Sequence, residues 1–76
     1  SYLKEVIIRD KEGLMTTAEE IAESMKPKTT KSVRNSMRRL KTRSLITYDE
    51  SKKPHVYKPT LLGEYVVKMF YNDSND

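Results

Sequence analysis

The sequence predicts a small α+β domain, mainly α-helical, in which two short helices joined by a turn lead into a β-hairpin and a closing helix. Three observations carry that expectation. Apolar residues recur at helical spacing, as in Val33, Met37 and Leu40, which fall at i, i+4 and i+7. Two runs rich in Leu, Ile, Thr, Val and Tyr, "SLITYDE" and "HVYKPT", flank the polar "SKKP" in the manner of a hairpin. Capping and turn residues stand between the segments, namely Gly13, Thr17, Pro27, Thr29 or Thr30, and Thr60. The 76 residues suffice for one domain, residues 1–76. A domain of this size buries only roughly 60% of its unfolded surface, so a large internal active-site cavity is not expected.

Leu3, Val6 and Ile7 place a first amphipathic helix over residues 2–13, with Gly13 able to take the left-handed backbone that turns the chain. Leu14 to Thr16 (residues 14–16) then form a short strand. Thr17 and Glu20 have capping-box spacing, the hydroxyl accepting from the N3 amide while the carboxylate reaches back. A second helix over 17–25 therefore buries Ala18, Ile21, Ala22 and Met25 and leaves Glu19, Glu20 and Glu23 in solvent. Pro27 disfavours helical geometry at Lys26 and ends it. Thr29 or Thr30 caps a third helix over 30–43, Leu45 and Ile46 open the hairpin over 45–58, and Thr60 caps a final helix over 60–72.

Charge is divided sharply along this order. Residues 1–25 carry three basic and six acidic groups, residues 26–48 eight basic and none acidic, and residues 49–76 four basic and five acidic. The modest total of +4 thus conceals a concentrated cationic stretch, "KPKTTKSVRNSMRRLKTR". A disordered arm would lack the apolar stripe of Val33, Met37 and Leu40, so the run is read as folded. At 100° per residue the side opposite that stripe holds Lys31, Asn35, Arg38 and Thr42, flanked by Arg34 and Arg39. One side is core and the other is a surface suited to phosphates.

Taken together, "LMTTAEEIAESM", "SVRNSMRRLKTRSLI" and "VYKPTLLGEYVV" resemble, in order and spacing, the strand and second helix, the recognition helix with its following strand, and the returning strand with its last helix, of winged helix-turn-helix domains from bacterial, archaeal and viral transcription regulators. The resemblance spans nearly the whole chain. Ser44 stands where that family often has Gly, and Pro59 where a Leu commonly precedes the Thr. The second departure puts Pro59 at a strand end or edge, where a missing donor costs little. The resemblance implies sequence-specific binding of double-stranded DNA in transcription control, with helix 30–43 in the major groove and the wing on the flanking backbone or minor groove. Two alternatives stay open: a winged-helix protein–protein interaction module, or the DNA-binding part of a larger replication or processing protein. An interaction module would carry fewer cations and more exposed aromatics on its third helix.

The residue types suit the expected task. Arg donates two bonds to guanine O6 and N7, and Asn both donates to and accepts from adenine, which nominates Arg34, Asn35 and Arg38 as base readers. Lys31, Thr29 and Thr30 stand at the helix start, where side chains and amides meet bases or phosphates. Lys26, Lys28, Arg39 and Arg43 suit phosphates, and Lys52 and Lys53 at the hairpin tip supply a second contact. For Asn35 an ordinary solvent-facing role competes with base reading, and for Lys52 and Lys53 so does a merely soluble turn. Tyr48 and Tyr57 pair across the hairpin.

Other functions find little support in the residues. The sequence has no Cys and one His, so no cofactor, no metal site and no thiol chemistry is expected. Asp49 and Glu50, adjacent in sequence at the wing, would point to opposite faces if they continue the strand, and neither a nucleophile with its base nor a glycine-rich phosphate loop is present, so no catalytic residue is assigned. No apolar run approaches the roughly 20 residues of a membrane span and no signal-peptide pattern opens the chain, so a cytoplasmic protein with no membrane contact is expected. Leu62, Tyr65, Val66, Met69 and Phe70 make a wide stripe on the last helix, with Val67 and Tyr71 to one side, and Leu3, Val6, Ile7 and Ile8 spread similarly on the first. That excess implies a homodimer through the first and last helices, unless mutual packing of the two absorbs it.

Overall fold

Helix α1 (Tyr2–Lys11) opens on Ser1, whose hydroxyl accepts from the Lys4 amide, and closes where Gly13 takes φ 72°. In the computed structural model, which describes residues 1–70, that closure is a paired one: the Gly13 amide donates to the Asp10 carbonyl and the Leu14 amide to the Arg9 carbonyl. The helix therefore ends two residues before the expected boundary at 13. Residues 14–16, expected as a strand, are extended coil that takes one backbone bond from the hairpin, from the Tyr57 amide to the Thr16 carbonyl at 2.8 Å. Part of the backbone a ladder would use is committed elsewhere. Leu14 donates to Arg9, the Leu14 carbonyl accepts from the Thr16 hydroxyl, and the Met15 carbonyl accepts from the Arg9 guanidinium.

Thr17 caps α2 (Ala18–Ser24) from just outside it, accepting from the Glu20 amide. Only half of the capping box forms, because the Glu20 carboxylate turns instead to Arg9, 3.1 Å away. Ala18, Ile21 and Ala22 are buried as expected. Helix α3 (Thr30–Thr42) is capped by the Thr29 hydroxyl, which accepts from the Ser32 amide, and buries Val33 and Met37 completely. Its end repeats the paired closure of α1 on a serine: Ser44 takes φ 63° while its amide and that of Leu45 return to the Lys41 and Leu40 carbonyls.

The hairpin is narrower than the expected 45–58. Strands β1 (Ile46–Thr47) and β2 (Lys58–Pro59) pair antiparallel with Ile46 opposite Pro59, and 48–57 form a loop. Inside it the Tyr48 ring stacks on His55 with centroids 4.5 Å apart and meets Tyr57 edge-on at 5.3 Å. At the tip, Asp49 Oδ1 accepts from both the amide and the hydroxyl of Ser51. Ring packing and this local turn take the place of further ladder bonds, to which Pro54 has no amide to give. Asp49 and Glu50 accordingly lie in the loop and do not continue β1.

Helix α4 (Leu61–Phe70) is capped by Thr60, whose hydroxyl accepts from the Gly63 amide and donates to the Ser44 carbonyl. The expected helix through 72 includes two residues outside those described. A Cβ at Gly63 would lie 2.1 Å from the Leu45 carbonyl oxygen, so only glycine lets α4 come this close. That contact sets the rotation of the helix. Gly63 is buried, Val66 and Val67 are partly covered against the core, and Leu61, Leu62, Tyr65, Met69 and Phe70 stand exposed. Of the expected stripe, Leu62, Tyr65, Met69 and Phe70 are thus exposed and Val66 is partly covered, and Val67, expected to one side of it, turns in.

Candidate nucleic-acid interface

The elements that bury Val33 and Met37 necessarily turn the polar side of α3 outward, and the hairpin loop folds beside it. Between α2, α3 and the loop runs an open groove of about 610 Å³, lined by Glu19, Arg34, Arg38, Lys53, His55 and Tyr57 among others. Tyr48 and Glu50 extend its lining toward the loop tip. Two arginines from one helix and a lysine from a separate loop therefore face a common space. Lys28, Lys31 and Thr29 sit exposed at the start of α3, with Thr30 and Asn35 half-buried and Lys52 exposed at the tip. Arg39 lies on the other flank, where it donates to Ser36 and lines, with Arg43, a smaller depression beside Tyr2 and Val66. The sequence-nominated residues thus divide: Arg34, Arg38 and Lys53 converge, while Arg39 is turned away from them.

Three cations of this region are paired, Lys26 with Glu23, Arg34 with Glu19 at 3.1 Å, and Lys41 with Glu50. Lys28, Lys31, Arg38, Arg39, Arg43, Lys52 and Lys53 have no acidic partner among the described residues. The Arg34–Glu19 pair is about half exposed at both ends, and such pairs are worth only ~0–1 kcal/mol, so a phosphate or base edge can replace the carboxylate at small cost. Arg38 approaches Asn35 Oδ1 at 3.5 Å, which is the outer limit of a hydrogen bond and leaves both groups free to reorient.

Lys41 was not among the nominated residues, and it anchors the loop to α3. Its ammonium bonds Glu50 and lies 4.6 Å from the centre of the Tyr48 ring. The hydrogen bond to Glu50 raises the Lys41 pKa and lowers that of Glu50, while the Ser51 hydroxyl and amide lower that of Asp49. Burial raises the Tyr57 hydroxyl's. Glu19, His55 and Tyr57, likewise absent from the nominated set, complete the groove; Glu19 had only the signal of an exposed acid on α2, and no local pattern joins it to Arg34.

No family model matches this chain, and neither a characterised protein nor a solved structure gives a significant match. Among the described residues no helix is long and apolar enough to cross a membrane, and no cluster of His, Cys, Asp and Glu could hold a metal ion. The functional reading accordingly rests on the groove and on the cations around it.

Proposed function

We propose that the chain is a winged helix-turn-helix domain that binds double-stranded DNA sequence-specifically in transcription control. Helix α3 enters the major groove, and the hairpin loop, as the wing, lies on the flanking backbone or minor groove. The observation that carries this reading is the convergence of Arg34 and Arg38 with Lys53 across one open groove, on a helix face with no carboxylate of its own. Two elements that present cations side by side match a duplex, which offers base edges in a groove and phosphates along its rim. The face of α3 bears no aromatic residue, whereas an interaction module would be expected to expose some. In this arrangement Arg34, Asn35 and Arg38 read bases, Lys28, Thr29, Thr30 and Lys31 hold the backbone at the helix start, and Lys52 and Lys53 hold it at the wing.

Selection of duplexes from a random pool, followed by binding measurements over a salt series, tests the proposal. With about five phosphates neutralised, log K falls against log salt with a slope near −4.5. Arg34→Ala and Arg38→Ala relax base preference by about 1–3 kcal/mol wherever the side chain makes a bidentate contact. Lys53→Ala weakens all sequences alike and makes the slope shallower by about one. A flat salt response would dismiss DNA as the ligand, and a uniform loss from the arginine variants would make those residues phosphate contacts.

A further inference from the structure

Helix α4 presents to solvent what a helix of a small domain ordinarily buries. Leu61 is 86% exposed, Leu62 49%, Tyr65 58%, Met69 53% and Phe70 70%. At roughly 150–200 Å² per large side chain, these exposures leave on the order of 500–600 Å² of apolar side chain uncovered. Without Phe70, which lies round the helix from the other four, the face holds about 400–500 Å², within the ~300–600 Å² of a typical monomer's largest apolar patch, and doubling it across a two-fold axis gives about 800–1,000 Å², the size of a weak, reversible interface. None of the five lines the cationic groove, so a partner seated here leaves that groove open.

The distribution of charge around α4 selects the occupant. At 100° per residue, Leu61, Tyr65 and Met69 form the middle of the exposed face, Glu64 and Lys68 one flank, and Leu62 the other, whereas Phe70 falls between Val66 and Gly63 at the end of the helix. When two such helices pair antiparallel, each flank meets its own copy; when they pair parallel, opposite flanks meet. We propose that a second copy of this chain covers α4, antiparallel, about a two-fold axis near Tyr65. Leu61 then lies opposite the partner's Met69 and Glu64 beside the partner's Lys68, with the symmetric contacts repeated. A parallel pair would instead set both charges against apolar side chains. The inference uses the apolar face and its charged flank alone and is independent of what the cationic groove binds.

Sedimentation across a concentration series, without DNA, is expected to show a reversible dimer. Glu64→Lys, which sets lysine against Lys68 twice, raises its dissociation constant about tenfold, and the double exchange Glu64→Lys with Lys68→Glu restores it. Far-ultraviolet dichroism confirms that the variants stay folded. Because the chain has no cysteine, single introductions report the direction of pairing. Tyr65→Cys forms a disulfide with its own copy under oxidation. Leu61→Cys does not, since the antiparallel axis holds its copies about 12 Å apart along the helix, beyond disulfide reach, but it joins Met69→Cys in a mixture. A chain that stays at monomer mass at high micromolar concentration overturns the proposal. So does a Leu61→Cys chain that links to itself, because that outcome requires a parallel pair or a different face.

Discussion

Helices α3 and α4 both lie at the surface, yet they turn opposite chemistry to solvent. In α3 the apolar residues Val33, Met37 and Leu40 occupy one side only, and that side is buried or partly covered. In α4 apolar residues surround most of the helix, and just Val66 and Val67 of them reach the core. The difference teaches how orientation is chosen. A helix with a single apolar stripe has one way to pack, so side-chain spacing alone predicts its inward face. A helix that is apolar nearly all round has several, and here a backbone contact decides, the approach of Gly63 to the Leu45 carbonyl.

The largest expected effect breaks that contact. Gly63→Ala forces α4 away from β1 and costs about 3 kcal/mol, the upper part of the range for overpacked sites, read by urea denaturation. A loss below ~1 kcal/mol would show that α4 can rotate or slide freely, and that its exposed face is not set by Gly63. Ser44→Gly acts at the junction between the two helices in the opposite direction. Serine at φ 63° carries a left-handed penalty of ~1–2 kcal/mol, part of which the extra chain entropy of glycine offsets, so the variant is expected to gain about 1 kcal/mol. An unchanged midpoint would mean that the Thr60 hydroxyl bond to the Ser44 carbonyl already makes that conformation the favoured one.

The smallest effect concerns the loop that Lys41 of α3 holds. Asp49 and Glu50 have pKa values lowered in the folded state, so their contribution is complete above the ordinary carboxylate range of about 4 and disappears as pH falls through the folded values. Ring resonances of Tyr48 and His55 should therefore lose their mutual shifts in that acid window before the core unfolds. Glu50→Gln should remove the Glu50 share at neutral pH, loosening the loop at Lys41 while leaving α4 unaffected.

Much of the fold was legible because its signals are local. Thr17, Thr29 and Thr60 each cap the helix that follows them, and Gly13 turns the chain where expected. Val33 and Met37 face in, and Tyr48 meets Tyr57. The misreadings were of groups whose partners lie in a different element. Glu20 had the spacing to close its own capping box, but Arg9 competes for it from α1. Residues 14–16 had the composition of a strand, but Arg9 and the closing turn of α1 occupy their backbone. Lys41 reads as one more cation until Glu50 and Tyr48 are brought against it.

The sequence by itself determined where the helices begin, which side of α3 carries charge and that the positive groups cluster on one stretch. Those properties follow from spacing along a helix and from side chains bonding amides three residues away, interactions that involve no distant partner. Only the tertiary structure decided that Arg34 and Arg38 share a groove with Lys53 and that α4 shows its apolar face to solvent. Each of those depends on groups far apart in the chain being held close, where a carbonyl 2.1 Å from a hypothetical Cβ at Gly63 outweighs any preference of the apolar side chains around it.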